Sequence, residues 1–201
     1  MPNWCDNALV AYGNKEEIDV LYQRMLSAQR MAAETHKWWT YCLFVEHGWN
    51  DDEIVCEHPV VDYVGGSLDE VNEPVQDGDD WIIRFWITTR WCPMTAGFKK
   101  IFSKYISIQF VFVAEEPGMC IYQNSDVKGR FFPDRFVIDD WENGCEYFST
   151  IDEVIKYVKE KYGIDIDVAS LDDDVCIYET EESENTRENH VYFHRFISEN
   201  I

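Results

Sequence analysis

The pattern of apolar and polar positions opens with a strand over the first thirteen residues, which ends at Gly13 and hands over at once to a helix. Asn14 is a good N-cap, and Glu17 stands three residues on as the partner of a capping box. The apolar residues that follow, Ile18, Leu21, Tyr22, Met25 and Leu26, recur at the spacing of one helical face. Glu16, Glu17 and Asp19 fall in the first turn and Arg24 and Arg30 towards the end, as the helix dipole favours, so the pattern predicts a helix to about residue 30.

The apolar string Trp38-Trp39-Thr40-Tyr41-Cys42-Leu43-Phe44-Val45 suits a buried strand or a clamp onto the core. Beyond it, Gly65-Gly66, Asn72, Pro74 and Asp77-Gly78-Asp79-Asp80 mark loop, with one short strand expected over 60–64. Residues 81–90 alternate as a central strand. Trp81, Ile83, Phe85 and Ile87 form the face that suits packing under helices, and Ile82, Arg84, Trp86, Thr88 and Arg90 form the other. Pro93 opens a second helix with the stripe Phe98, Ile101, Phe102 and Tyr105. A further strand over 106–113 has Ile106, Ile108, Phe110 and Phe112 on one face. Glu115-Glu116-Pro117-Gly118 then turns the chain into an antiparallel strand over 119–124.

A hairpin is expected between 128–132 and 135–138. In the last third, Thr150 and Glu153 offer a capping box, Val154, Ile155, Val158 and Tyr162 make the stripe, and Gly163 stops the helix. Two alternating segments, 175–180 and 190–197, flank a polar loop over 181–189. The order of elements is that of a ferredoxin-like split β-α-β sandwich, an α+β fold with an antiparallel sheet and two helices on one face. We expect a single domain over 1–201: a ferredoxin-like core over 1–140 with an acidic insertion over about 46–80, and a C-terminal helix and β-hairpin extension over 141–201 that extends or covers the sheet.

Composition changes this picture mainly through charge. The 201 residues carry 39 acidic against 17 basic side chains, a formal net charge of −22, while 46% hydrophobic residues suffice for a proper core. From Glu46 to Asp80 there are twelve acids and no Lys or Arg; from Asp139 to the end there are 18 acids against 5 bases. Between Trp81 and Ala114, by contrast, stand five bases (Arg84, Arg90, Lys99, Lys100, Lys104) and no acid. A field of the overall sign repels nucleic acid and anionic membranes and favours cationic partners.

Seven cysteines are an odd count without a C-x-x-C pair, and strings such as Tyr41-Cys42-Leu43 and Val175-Cys176-Ile177 suggest buried, reduced thiols. Trp4-Cys5-Asp6-Asn7 interrupts any signal-peptide core, and no apolar run approaches the roughly 18 residues of a membrane span, so a cytoplasmic protein is expected.

Met1-Pro2-Asn3-Trp4-Cys5, with Asn7, Leu9 and Gly13, resembles the opening of the uncharacterised YubB-type ferredoxin-like family. Two further segments are similar, Thr89-x-Trp91-x-Pro93 and Glu116-Pro117-Gly118, so the likeness spans about residues 1–125. The resemblance implies the fold and an origin on plasmids, phages and other mobile elements, and it implies no activity. The name refers to topology, since the cysteine spacing here cannot hold an iron–sulfur cluster.

No phosphate-binding glycine loop, G-x-S-x-G elbow or H-E-x-x-H is present. Cys56-x-His58, or His190 and His194 with a nearby thiol, supply at most half of a zinc knuckle. Asp172-Asp173-Asp174 and Asp77-x-Asp79-Asp80 lack the glycine and closing glutamate of an EF-hand loop. Neither Cys92 nor Cys5 has a histidine nearby in sequence to activate it as a nucleophile. No catalytic residue, metal or cofactor is therefore assigned, and a non-enzymatic protein is expected.

Two surfaces remain as candidates. Arg84, Trp86, Thr88 and Arg90 on one sheet face combine bases with a stacking aromatic, as RNA-recognition sheets do. The other is acidic: Asp51, Asp52, Glu53, Asp77, Asp79, Asp80, Asp172, Asp173 and Asp174. The first expectation is an acidic interaction protein that engages a basic, nucleic-acid-binding protein, in its sharpest form a DNA mimic or inhibitor. The alternative is a ligand- or nucleic-acid-binding module that uses the Arg84, Trp86 and Arg90 face, although the surrounding negative charge opposes direct nucleic-acid binding. No membrane partner is expected, and the oligomeric state is left open.

Overall fold

A computed structural model describes residues 3–50, 54, 65–167, 171, 175–180 and 189–198. It is α+β with antiparallel sheets, and the chain divides into two compact units, Met1–Ile121 with Ile201 and Tyr122–Asn200.

In the first unit, β1 (Trp4–Gly13) is the strand on which the sheet is built. It pairs antiparallel with β4 (Asp80–Arg90) from Trp4↔Arg90 to Gly13↔Trp81, and with β5 (Gln109–Glu116) from Asp6↔Glu115 to Tyr12↔Gln109. On the far side of β4 lie β2 (Gly66–Val71) and the short β3 (Val75–Asp77). The order through these strands is β2-β4-β1-β5. Leu9 and Ala11, Ile83, Phe85 and Ile87, and Phe112 and Ala114 form the buried face of the sheet. They share one core with helices α1 (Lys15–Thr35), α2 (Trp39–Glu46) and α3 (Thr95–Phe102).

Helix α1 buries Ile18, Leu21, Met25 and Ala28 and runs to Thr35, beyond the end expected from the sequence; it stops where His36 turns left-handed at φ 56°. Its N-cap is Asn14, whose Oδ1 accepts the Glu17 N–H at 2.9 Å. The box does not close, because the Glu17 carboxylate accepts instead from the N–H groups of Ile106 and Ser107 and the Ser107 hydroxyl, at 2.7–3.0 Å. Those bonds, the Ser107 hydroxyl first, hold Glu17 below the usual carboxylate range. They fasten the helix start to the entry of β5, which begins at Gln109, and leave Ile106 fully exposed instead of on the strand face expected.

The apolar string at 38–45 is helix, not strand. A short run that is apolar on every side has no period to read, and α2 buries Trp39, Thr40, Cys42, Leu43 and Phe44 around most of its circumference. Segment 66–71, expected as loop, is strand β2, and the strand expected at 60–64 lies outside the described residues.

The chain enters the second unit through β6 (Ile121–Asn124). There β7 (Phe136–Asp140), β8 (Gly144–Phe148), β9 (Val175–Thr180) and β10 (Asn189–Arg195) form a separate antiparallel sheet of order β8-β7-β10-β9; they do not extend the first one. Helix α4 (Ile151–Tyr162) packs Val154 and Val158 against Ile138, Val191 and Phe193. Its capping box of Thr150 and Glu153 and its left-handed stop at Gly163 are as the sequence predicts. Strand β7 pairs with β8 and β10, while 128–132 is not strand, so the hairpin expected there is replaced by the one at 136–148. The polar stretch 181–188 lies outside the described residues.

Asp140, at the end of β7, is the polar centre of this unit. Its side chain is buried and accepts from the Tyr162 hydroxyl at 2.6 Å, from Nδ2 of Asn143 and Asn189 at 2.8 and 3.1 Å, and from the Glu142 N–H at 3.0 Å. Burial alone pushes an acid up, but here these bonds together outweigh it and hold Asp140 well below the carboxylate range.

Candidate acidic and aromatic interface

Period-two alternation sends Trp4, Asp6, Ala8 and Val10 of β1 to the sheet face opposite the helices, and Arg84, Trp86, Thr88 and Arg90 of β4 to the same face. The register sets Arg90 opposite Trp4, Thr88 opposite Asp6, Trp86 opposite Ala8 and Arg84 opposite Val10. All four residues of the candidate face therefore stand in one row, and they do different things.

Trp86 is open to solvent (37%), between half-buried Ala8 on one side and exposed Glu70 on the other. The Thr88 hydroxyl lies 2.7 Å from Asp69 Oδ2 and 3.4 Å from Asp6 Oδ1. A bulge in β2 between Leu68 and Glu70 adds Asp69 to that edge. Glu115 of β5 stands opposite Asp6 on the other flank.

Arg90 turns away to the end of the strand. Its guanidinium sits 4.8 Å over the Trp38 ring, which in turn meets Trp4 at 6.1 Å. Its Cδ passes so close to Gly65 that a Cβ there would approach to 3.0 Å. The face beside Trp86 thus carries the carboxylates of Asp6, Asp69 and Glu70 on the Thr88 side and flanks, with half-buried Arg84 on the other side of the ring, where the sequence suggested bases and an aromatic alone.

Asp6, Asp69, Glu70 and Glu115 are the residues that sequence reasoning missed. Asp6 sits in the opening motif two positions before Ala8, but only the register reveals that it faces Thr88. Of the acidic surface expected, Asp77 and Asp79 are exposed and Asp80 is half-buried in the β3–β4 turn; Asp51, Asp52, Glu53, Asp172, Asp173 and Asp174 lie outside the described residues.

The other face of the same strand ends has a different role. Asn7 is buried, and its Nδ2 donates to the Cys5 carbonyl at 2.8 Å, the Thr89 hydroxyl at 3.0 Å and the Ile87 carbonyl at 3.3 Å. The Trp91 N–H donates to the Asn3 carbonyl at 2.9 Å. A Cβ on Gly118 would come 2.9 Å from Asn3 Nδ2 and 3.0 Å from Glu116 Oε1. The opening residues, the Thr89–Pro93 segment and the Glu116–Gly118 turn therefore meet at one end of the sheet, where Asn7 locks β1 to β4. Burial pushes the Cys5 thiol there up to about 12, which removes it as a nucleophile.

Six of the seven cysteines are described, and none of the six is in a disulfide. Cys5 and Cys42 are buried as expected and Cys92 is half-buried, but Cys120, Cys145 and Cys176 are exposed. Among the described residues no helix is long and apolar enough to cross a membrane. No family model matches the chain, and no curated protein or solved structure matches it either.

Proposed function

We propose that this is a non-enzymatic acidic interaction protein whose first-unit sheet face receives lysine or arginine side chains of a basic, nucleic-acid-binding protein. The observation that carries this reading is Thr88 held between the carboxylates of Asp6 and Asp69 beside an exposed Trp86. An indole face flanked by carboxylates suits a cation twice over, by attraction to the ring quadrupole and by charge pairing at its rim. In its sharpest form the protein is a DNA mimic, its carboxylates occupying a groove shaped for phosphates. The scaffold of this face is proposed to be a ferredoxin-like split β-α-β sandwich. The antiparallel order β2-β4-β1-β5, with the helices and the buried sheet face in one core, supports that assignment.

The test is fluorescence anisotropy of a labelled arginine-rich peptide with the full chain at low salt. Trp86→Ala and the pair Asp6→Asn/Asp69→Asn should each weaken binding at least about tenfold, which is the loss of about 1.4 kcal/mol. The pair Asp152→Asn/Glu160→Gln, which removes as many charges from exposed positions on α4, should leave it nearly unchanged. Equal weakening by both pairs would mean diffuse attraction to the net charge and would overturn the site. Binding of a short RNA that is lost in Trp86→Ala would favour the nucleic-acid alternative instead.

A further inference from the structure

Strands β9 and β10 pair Glu179 with His190 and Val191 with Tyr178, after which the register slips and Tyr192 faces Cys176. In a regular strand Cys176 and Glu179, three residues apart, point to opposite faces. The extra residue of this bulge, Ile177, turns Cys176 to the side of Glu179. The Cys176 Sγ, a Glu179 carboxylate oxygen and a His190 ring nitrogen consequently lie within 4.8 Å of one another. Among the described residues no other group of three such side chains comes together in this way.

We infer that Cys176, Glu179 and His190 bind a borderline divalent transition-metal ion, Zn2+ above all, at the surface of the second unit. A thiolate, an imidazole and a carboxylate are the three donor types zinc uses, and three protein ligands with a fourth position left to water is a recurrent zinc arrangement. The edges of a zinc tetrahedron with these donors measure about 3.3–3.6 Å, so separations within 4.8 Å leave about 1 Å for rotation of the side chains to close. Cys176 and Glu179 are exposed and His190 is half-buried, which leaves the side chains that freedom.

The surroundings favour capture. The Trp141 ring centre lies 4.6 Å from that of His190 and Tyr192 stacks at 6.2 Å, so two aromatic walls confine the imidazole. The Trp141 N–H also fixes the backbone by donating to the His190 carbonyl at 3.1 Å. The Cys176 thiol donates at 3.4 Å to the Tyr178 carbonyl, and metal binding exchanges that weak bond for a thiolate–metal bond and releases the proton to solvent. The ion then ties β9 to β10 across the bulge. This site is independent of the acidic sheet face of the first unit.

The test is titration of the metal-free full-length protein with Co2+, followed by displacement with Zn2+. One equivalent should produce a thiolate-to-cobalt charge-transfer band and intense visible bands of tetrahedral geometry, which Zn2+ abolishes. Cys176→Ser should lose the charge-transfer band, and His190→Gln and Glu179→Gln should each weaken binding at least about tenfold. Cys145→Ser, at another exposed thiol, should leave the spectrum unchanged. Zn2+ should also slow iodoacetamide labelling of Cys176 and not of Cys145. Far-UV circular dichroism confirms that the variants fold, as substitutions at exposed positions should. A wild-type spectrum without the charge-transfer band, or one equally strong in Cys176→Ser, overturns the assignment, as does binding of equal strength in all variants, which marks an ion held only by the acidic surface.

Discussion

His47 closes α2 and is buried between two aromatics. Its Nδ1 lies 2.7 Å from the Leu43 carbonyl, which can only accept, so Nδ1 carries the proton, and Nε2 accepts from the Tyr105 hydroxyl at 2.8 Å. Burial first, then the neighbouring Arg24 and Lys104, push the imidazole down from 6.5 to about 4 against the opposing pull of the Leu43 bond and Glu46. A base whose folded pKa is lowered is protonated in the unfolded chain first, so its contribution is complete above pH 6.5 and is lost as the pH falls towards 4. Urea unfolding between pH 7 and 4 should show a loss of about 2–3 kcal/mol from this group, and His47→Gln should flatten that part of the profile. Identical slopes in the two proteins would contradict a buried neutral histidine. Asp140 acts through the opposite charge with the same sign: its support is complete at neutral pH and disappears only as the pH falls below the ordinary carboxylate range.

Among the elements, those with strong periods were legible. Strands β1, β4 and β9, helix α4 with both its caps and the core face of α1 follow from alternation and spacing. Helix α2 and strand β8 were not. The first is apolar all round and fits either period, while Gly144–Phe148 is almost wholly exposed and carries no apolar face to betray a strand. Glu17 shows why local motifs mislead: a capping box uses only residues of the helix start, yet its carboxylate found stronger partners at Ile106 and Ser107, ninety positions away in sequence. At α4, where no such competitor intervenes, the box closes. Thr150→Ala should therefore cost about 1 kcal/mol in equilibrium unfolding, while Thr150→Ser should restore most of it. No loss in Thr150→Ala would mean that the box contributes nothing to the helix.

At the scale of the whole molecule, the net charge of −22 was plain from composition, but its placement on the candidate site was not. The stretch from Trp81 to Ala114 is free of acids in sequence, and the sheet nevertheless sets Asp6 on one side of it and Asp69 and Glu70 on the other. Pairing register, invisible in one strand alone, adds carboxylates from the neighbouring strands to the face of a basic and aromatic segment. The same effect hid the Cys176, Glu179 and His190 cluster, which depends on a one-residue slip between β9 and β10. A partner held by charge pairing should also dissociate as salt rises and the Debye length shortens from about 30 Å at 0.01 M to about 8 Å at 0.15 M. Peptide affinity that is flat across this range would argue against electrostatic docking.

The central claim is most directly tested by the indole N–H signals of the eight tryptophans in a two-dimensional nitrogen–proton spectrum, with Trp86 assigned through Trp86→Phe. On titration with an arginine-rich peptide the Trp86 signal should shift progressively and saturate, while that of Trp141, exposed in the second unit, stays in place. A Trp86 signal that does not move while the peptide binds elsewhere would contradict the account.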